Sequence, residues 1–335
     1  MHVALRADGG SDIGMGHLVR VATLATAMTD RGHDAMLLTE TPEAAAAVSP
    51  ASLPIDTDID AALKTTAFDA LIVDLPAESR SPTVELASLD LYERLAARVP
   101  ALVVIEDYVD RTVHADLLIN GHIYAHRAGY RWTGTEPKWL LGGNYVILDE
   151  EIRTLAARTP PWRDPPERCL VSMGGSDVAS VTPTAMRAFG GRSVSVDVIV
   201  GPGFDEATRE TIEEAAKAVD CQFTLHEDPE DLATLMFDAD IAVSALGLMT
   251  YEFLALGTPI VGAVTAPDQR PKARALRDDD AGVVVDDLEA SSFRDALDSL
   301  LLDADRRRTV RDRGRELVDP DGVKRIVDTI ADLPD

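Results

Sequence analysis

The sequence predicts an α/β protein built from two Rossmann-like parallel sheets, and three observations carry that prediction. Short apolar, strand-like runs alternate with amphipathic helical runs along the 335 residues. The first apolar run opens directly into a glycine-rich turn. Near the middle, Thr159-Pro160-Pro161-Trp162-Arg163-Asp164-Pro165-Pro166 interrupts helix and strand alike, and a fresh α/β series follows. The boundary is therefore expected there, with domains 1–158 and 159–335. At 46% hydrophobic content the chain can bury two cores.

In chain order, the first strand is His2 to Ala7, and the helix from His17 carries Leu18, Val21, Ala22, Ala25 and Met28 at i, i+3, i+4 spacing, one apolar stripe for one core. Ala35 to Leu38, Ala70 to Val73 and Leu102 to Ile105 read as strands, and Thr83 to Val99 as a helix. The second series has strands Cys169 to Met173, Val194 to Val200, Gln222 to Leu225, Ile241 to Val243, Ile260 to Val261 and Val283 to Val285. Ligands of such folds sit at the C-terminal ends of the strands, so two halves facing one cleft are expected.

The turn after the first strand is the most informative stretch. In Arg6-Ala7-Asp8-Gly9-Gly10-Ser11-Asp12-Ile13-Gly14-Met15-Gly16-His17, two glycines precede a histidine on the first turn of a helix. Gly14 and Gly16 let a ligand approach bare backbone N–H groups at the positive end of that helix, as a phosphate or diphosphate requires. A dinucleotide fingerprint is half present, with Glu40 ending the next strand as a ribose-binding acid would, but Val19 occupies the third glycine position. The plainer alternative is that His17 only caps the helix.

Two later turns repeat the pattern. Leu170-Val171-Ser172-Met173-Gly174-Gly175-Ser176-Asp177 ends a strand in glycines, with Ser176 and Asp177 expected at the start of the next helix, where they cradle phosphate or where Asp177 simply serves as N-cap. In Ser244-Ala245-Leu246-Gly247-Leu248-Met249-Thr250-Tyr251-Glu252, the acid falls in the first helical turn, within reach of a pair of ribose hydroxyls. Ala266-Pro267-Asp268-Gln269 begins a further loop.

Composition narrows the partners. A formal net charge of −26 excludes the basic surface that nucleic acids and anionic membranes select. Only five of 32 basic residues are lysine, and the acids are spread over the chain, the pattern of a surface solvated at high salt. No apolar run reaches spanning length, and the first strand begins at residue 2, which predicts a cytoplasmic protein. Cys169 and Cys221 form no C-x-x-C and are expected as free thiols. The sequence carries no signal for an oligomeric state.

Taken together, the N-terminal turn, Val104-Ile105-Glu106-Asp107-Tyr108, Leu117-Leu118-Ile119-Asn120, Leu140-Leu141-Gly142-Gly143-Asn144-Tyr145, the Gly174-Gly175-Ser176-Asp177 loop, the Glu252 turn and Asp268-Gln269 resemble, in order and over almost the whole chain, the UDP-sugar hydrolases of the pseudaminic acid pathway. These are similar in turn to the GT-B glycosyltransferases of peptidoglycan lipid-precursor synthesis, which implies a GT-B-like architecture. The resemblance implies release of UDP from UDP-2,4-diacetamido-2,4,6-trideoxy-β-L-altropyranose by water attack at the anomeric carbon, with inversion and without a metal or cofactor. It implies His17 as the catalytic base. Gly14, Met15, Gly16, Asp74 and Tyr108 would contact substrate from the first half. Gly174, Gly175, Ser176, Asp177, Gly247, Leu248, Met249, Thr250, Glu252, Asp268 and Gln269 would do so from the second.

The sequence departs from that family at three points. Pro76 stands where the family has a tyrosine, a contact that Tyr108 or Tyr124 would have to supply. Thr250 falls one residue late, and Asp268 replaces an asparagine. The D-x-D runs Asp56-x-Asp58-x-Asp60 and Asp238-x-Asp240 are what 58 acids generate freely, and His122-x-Tyr124-x-His126 sits among loop residues and reads as cleft lining or exposed surface.

Overall fold

The computed structural model describes residues 1–10, 13–76, 85–175, 177 and 179–333. They form two compact units, one of residues 1–149 with 321–335 and one of residues 150–320.

The first unit contains β1 (His2–Ala7), α1 (Gly16–Thr29), β2 (Asp34–Leu38), α2 (Pro42–Val48), β3 (Ile55–Asp56), α3 (Ile59–Thr65), β4 (Ala70–Asp74), α4 (Leu89–Ala96) and β5 (Ala101–Ile105). It continues through β6 (Thr112–Val113), β7 (Leu117–Asn120), β8 (Arg131–Trp132) and β9 (Lys138–Leu141). Seven strands make a parallel sheet in the order β3-β2-β1-β4-β5-β7-β9, so every strand ends on the same edge. Alternation then divides the strand residues between two cores. Val3, Leu5, Ala7, Ile72, Val103 and Ile105 pack with α1, while Ala4, Leu71, Val73, Leu102 and Val104 pack with α4. The expected helix over 83–99 is shorter, because α4 starts only after Ser88, whose hydroxyl accepts from the Leu91 N–H. Thr83 itself lies outside the described residues.

The second unit runs α5 (Glu150–Ala156), β10 (Arg168–Ser172), α6 (Thr182–Arg187), β11 (Ser195–Val200), α7 (Glu206–Ala218), β12 (Gln222–Glu227), α8 (Leu232–Asp238) and β13 (Ile241–Ala245). It ends with α9 (Met249–Leu256), β14 (Ile260–Ala263), α10 (Arg270–Asp278), β15 (Val283–Val285), α11 (Ala290–Leu301) and α12 (Ala304–Leu317). Its six-stranded parallel sheet has the order β12-β11-β10-β13-β14-β15.

The domain division differs from the one expected at 158/159. The proline segment is not a connector: the guanidinium groups of Arg307, Arg308 and Arg311 lie 4.7–4.9 Å from the Trp162 ring centroid, and Arg307 donates to the Arg163 carbonyl. The preceding α5 buries Ile152, Leu155 and Ala156 and packs on α8 and α9, so the second unit already begins at Glu150. At the other end α13 (Gly322–Ala331) returns to the first unit, where Val323, Ile326, Val327 and Ile330 complete the core beside α1. Burial of that apolar face outweighs chain order.

Candidate functional site

The first unit gathers a charged cluster at the C-terminal edge of its sheet. Gly10 and Gly14 exchange backbone hydrogen bonds of 3.1 and 2.7 Å and both have positive φ, at +131° and +88°, which closes the loop into a small knot before α1. Met15 is the N-cap of α1 and leans on the core, so His17 stands inside the first turn. Its ring does not cap the helix. His17 Nδ1 lies 2.6 Å from Asp74 Oδ1.

Strand alternation explains the meeting. Asp74 follows Ala70 and Ile72 on the β4 face toward α1, and its register partner on β1 is Ala7, just before the glycine loop. Arg20, one turn after His17, completes the arrangement. Its Nε and Nη2 donate to the two Asp74 oxygens, each at 2.8 Å, and its Nη1 donates to both Asp107 oxygens at 2.8 and 2.9 Å. Asp107 extends the Val103, Ile105 face beyond the end of β5, again toward α1. His122, just after β7, stacks on Tyr124 with ring centroids 5.0 Å apart and brings its Nε2 to 3.5 Å from Asp107.

The protonation states follow from this packing. For Arg20, burial works against the charge, but Asp107 and Asp74 outweigh it and raise its pKa well above the ordinary value. For Asp107, burial would raise the pKa, yet Arg20 and then His122 overcome it and hold the carboxylate far below its usual range. Glu106 points the other way, toward α4. Burial pushes it up to about 7, against the pull of the Tyr108 N–H at 3.0 Å, and the Tyr92 hydroxyl donates to its second oxygen.

In the second unit, the loops after β10, β13 and β14 enclose a cavity of about 550 Å³. Gly174, Gly175, Asp177, Gly247, Leu248, Met249 and Gln269 line it, together with Met173, Ser244 and Thr265. Gly174 has φ +87°, and Gly203 N–H holds the Gly175 carbonyl at 2.9 Å. Gln269 Oε1 accepts from the Thr265 N–H at 2.8 Å, which closes the third loop.

The expected site residues thus fall into two groups, one per unit, with corrections. The helix expected directly after Gly175 starts only at Thr182, and Asp177 spends its two oxygens on the Val181 and Thr182 N–H groups, at 2.8 and 2.7 Å. It holds the start of α6 and also lines the cavity. Ser176 lies outside the described residues. Asp74 is 1% exposed, and its two oxygens meet His17 and Arg20. Thr250 is buried, Glu252 is half-buried on the first turn of α9, and Asp268 is exposed on the loop after β14. None of these three lines the cavity. Tyr108 is exposed, with Arg111 over its ring.

The sequence pattern marks neither Arg20 nor Asp107 as a ligand or catalytic residue, and it reads His122 as cleft lining or exposed surface. The His17-x-x-Arg20 spacing, which puts both side chains on one face of α1, was the available signal for Arg20. The D-x-D acids are committed elsewhere: Asp58 caps α3, Asp60 pairs with Arg98, and Asp240 accepts from the Glu167 and Arg168 N–H groups. Glu40 pairs with the buried Arg6. Cys169 is a free buried thiol whose pKa burial raises, and Cys221 is free as well.

Residues 192–317 match the family model of glycosyl transferases group 1. Over 99% of its length the chain is 25% identical to the spore coat polysaccharide biosynthesis protein SpsG of Bacillus subtilis, of which it covers 98%. Among solved structures, the UDP-GlcNAc 2-epimerase of Neisseria meningitidis bound to UDP-GlcNAc superposes with a TM-score of 0.64 at 11% identity, covering 99% of this chain and 100% of that one. MurG of Acinetobacter baumannii gives 0.58 at 14% identity, with the same coverage. The chain therefore has the two-domain α/β fold of the GT-B glycosyltransferases.

Proposed function

We propose that this protein is a nucleotide-sugar enzyme that releases UDP from a UDP-linked sugar by transferring the glycosyl group to water. The observation that carries this reading is the 2.6 Å His17–Asp74 pair. A carboxylate only accepts, so Nδ1 is the protonated nitrogen and Nε2 offers its lone pair. A water on Nε2 gives up its proton as its oxygen attacks the anomeric carbon, the bond from that carbon to the diphosphate oxygen breaks, and its electron pair leaves with UDP. A single displacement of this kind inverts the anomeric centre.

The second unit supplies the binding. Its cavity joins glycine turns after β10 and β13 with the start of α9, whose first N–H groups have no partner inside the helix. Those groups receive the diphosphate, and Glu252 reaches the ribose hydroxyls. The SpsG likeness supports a role in polysaccharide synthesis, and the epimerase supports a UDP-sugar ligand. A diacetamido-trideoxy sugar is the proposed glycosyl group, with Asp268 and Pro76 as the positions where its recognition differs from the resembling hydrolases.

The match over 192–317 favours a second reading, in which a sugar hydroxyl replaces water at the same base. Incubation with a panel of UDP-sugars, with and without sugar acceptors, separates the two. Free reducing sugar and UDP without acceptor are expected; UDP formed only with acceptor establishes the transferase, and no UDP from any donor removes the proposal.

A further inference from the structure

Lys272 stands on the first turn of α10 and is only 5% exposed. An ammonium group withdrawn from water needs strong local partners. Its Nζ donates to the carbonyl oxygens of Leu246 at 3.1 Å and Gly247 at 2.5 Å, and it lies 4.5 Å from the centroid of the Tyr251 ring. The two carbonyls belong to the turn from β13 into α9 and Tyr251 to the first turn of α9, and Gly247, Leu248 and Met249 of the same segment line the cavity of the second unit. Lys272 is not among the lining residues, and the described lining contains no lysine or arginine.

The peptide geometry gives this contact a consequence. In a trans peptide the C=O of one residue and the N–H of the next point to opposite sides. Drawing the Gly247 carbonyl onto Lys272 therefore turns the Leu248 N–H away from the ammonium, beside the open N–H groups of Met249 and Thr250 at the start of α9. A charged donor on the carbonyl also polarises the peptide and strengthens its N–H.

We infer that Lys272 is a positioning residue for the anionic end of the ligand, bracing the Leu246–Gly247 turn from behind so that the Leu248 N–H and the first N–H groups of α9 present themselves to phosphate. The inference rests on the nucleotide reading above. Because the charge sits inside the protein, dissolved ions screen it little, in contrast to a surface lysine.

Calorimetric titration of the full-length protein with uridine, UMP and UDP tests it, using wild type, Lys272→Met and Lys272→Arg with their unfolding temperatures. Lys272→Met is expected to bind UDP about tenfold more weakly, UMP less so, and uridine as wild type does. Lys272→Arg should recover part of the UDP affinity, since it keeps the charge but not the fit to both carbonyls. Unchanged UDP binding by folded Lys272→Met, or an equal loss for all three ligands, overturns the inference. Should Lys272→Met not fold, Lys272→Arg decides by the same ordering of losses, and equal or no losses overturn it. Wild-type protein that takes none of the three ligands refutes the nucleotide reading, and the inference falls with it.

Discussion

The two units use the same sheet edge in opposite ways. In the first, the C-terminal ends of β1, β4, β5 and β7 carry ionic side chains locked together: His17, Arg20, Asp74, Asp107 and His122. In the second, the ends of β10 and β13 present glycine turns and backbone N–H groups, with the nearby cation kept behind the wall. A proton-transfer group needs a fixed tautomer and orientation, which carboxylate and guanidinium partners supply. A diphosphate needs close approach to many weak donors, which side chains would obstruct. On the proposed reading, the first unit carries the chemistry and the second the affinity.

The sharpest way to break that division is His17→Gln. UDP release should fall by about 100-fold or more, the scale of a lost general base, while calorimetry finds UDP affinity unchanged. A variant that turns over at the wild-type rate would place the base elsewhere.

A second contrast concerns pH. Glu106 is raised by burial from its ordinary 4.5 to about 7. Below about pH 4.5 it is protonated folded and unfolded alike; above that the unfolded chain ionises first, so stability is lost as pH rises until the folded carboxyl also ionises near 7. Glu106→Gln should remove that loss, by up to about 3 kcal/mol at pH 8, and leave stability near pH 4.5 little changed. Urea unfolding at the two pH values checks this, and a gap that does not widen with pH would mean that folding does not raise the Glu106 pKa. UDP binding in the second unit should be the same in both proteins.

In the second unit the corresponding break is mechanical. A Cβ at Gly201 would lie 2.6 Å from the Gly175 carbonyl oxygen and 2.7 Å from that of Gly174. These are backbone atoms, so Gly201→Ala should cost about 2 kcal/mol and weaken UDP binding by displacing the glycine turn, with the His17 pair untouched. Wild-type affinity in this variant would show that the turn does not hold the ligand. The smallest effect is expected from Glu252→Ala, a loss of about 1–2 kcal/mol in UDP affinity with the fold intact. If uridine and UDP bind as before, the ribose does not meet Glu252.

Much of this architecture was written in local pattern. Strand His2–Ala7 matches its expected bounds, and the apolar stripe Leu18, Val21, Ala22, Ala25, Met28 is buried on α1. Such periodicity reports which face of an element is apolar, and a parallel sheet covered on both faces leaves continuous apolar runs that few other arrangements explain. The glycines at 14, 174 and 175 were likewise legible, because a strand running into a turn that needs open backbone permits little else.

What the tertiary structure alone decided is who meets whom. His17, Asp74, Asp107 and His122 are far apart in sequence and converge because the strand order β1-β4-β5-β7 sets their parent segments side by side, with alternation turning Asp74 and Asp107 toward α1 but Glu106 toward α4. Strand order is a property of long-range pairing, which no local window contains. The same holds for α13, which lies in the second half of the chain but whose apolar face is claimed by the core beside α1. It holds too for Lys272, an unremarked lysine in the sequence whose charge matters only because folding buries it against the turn of Leu246 and Gly247.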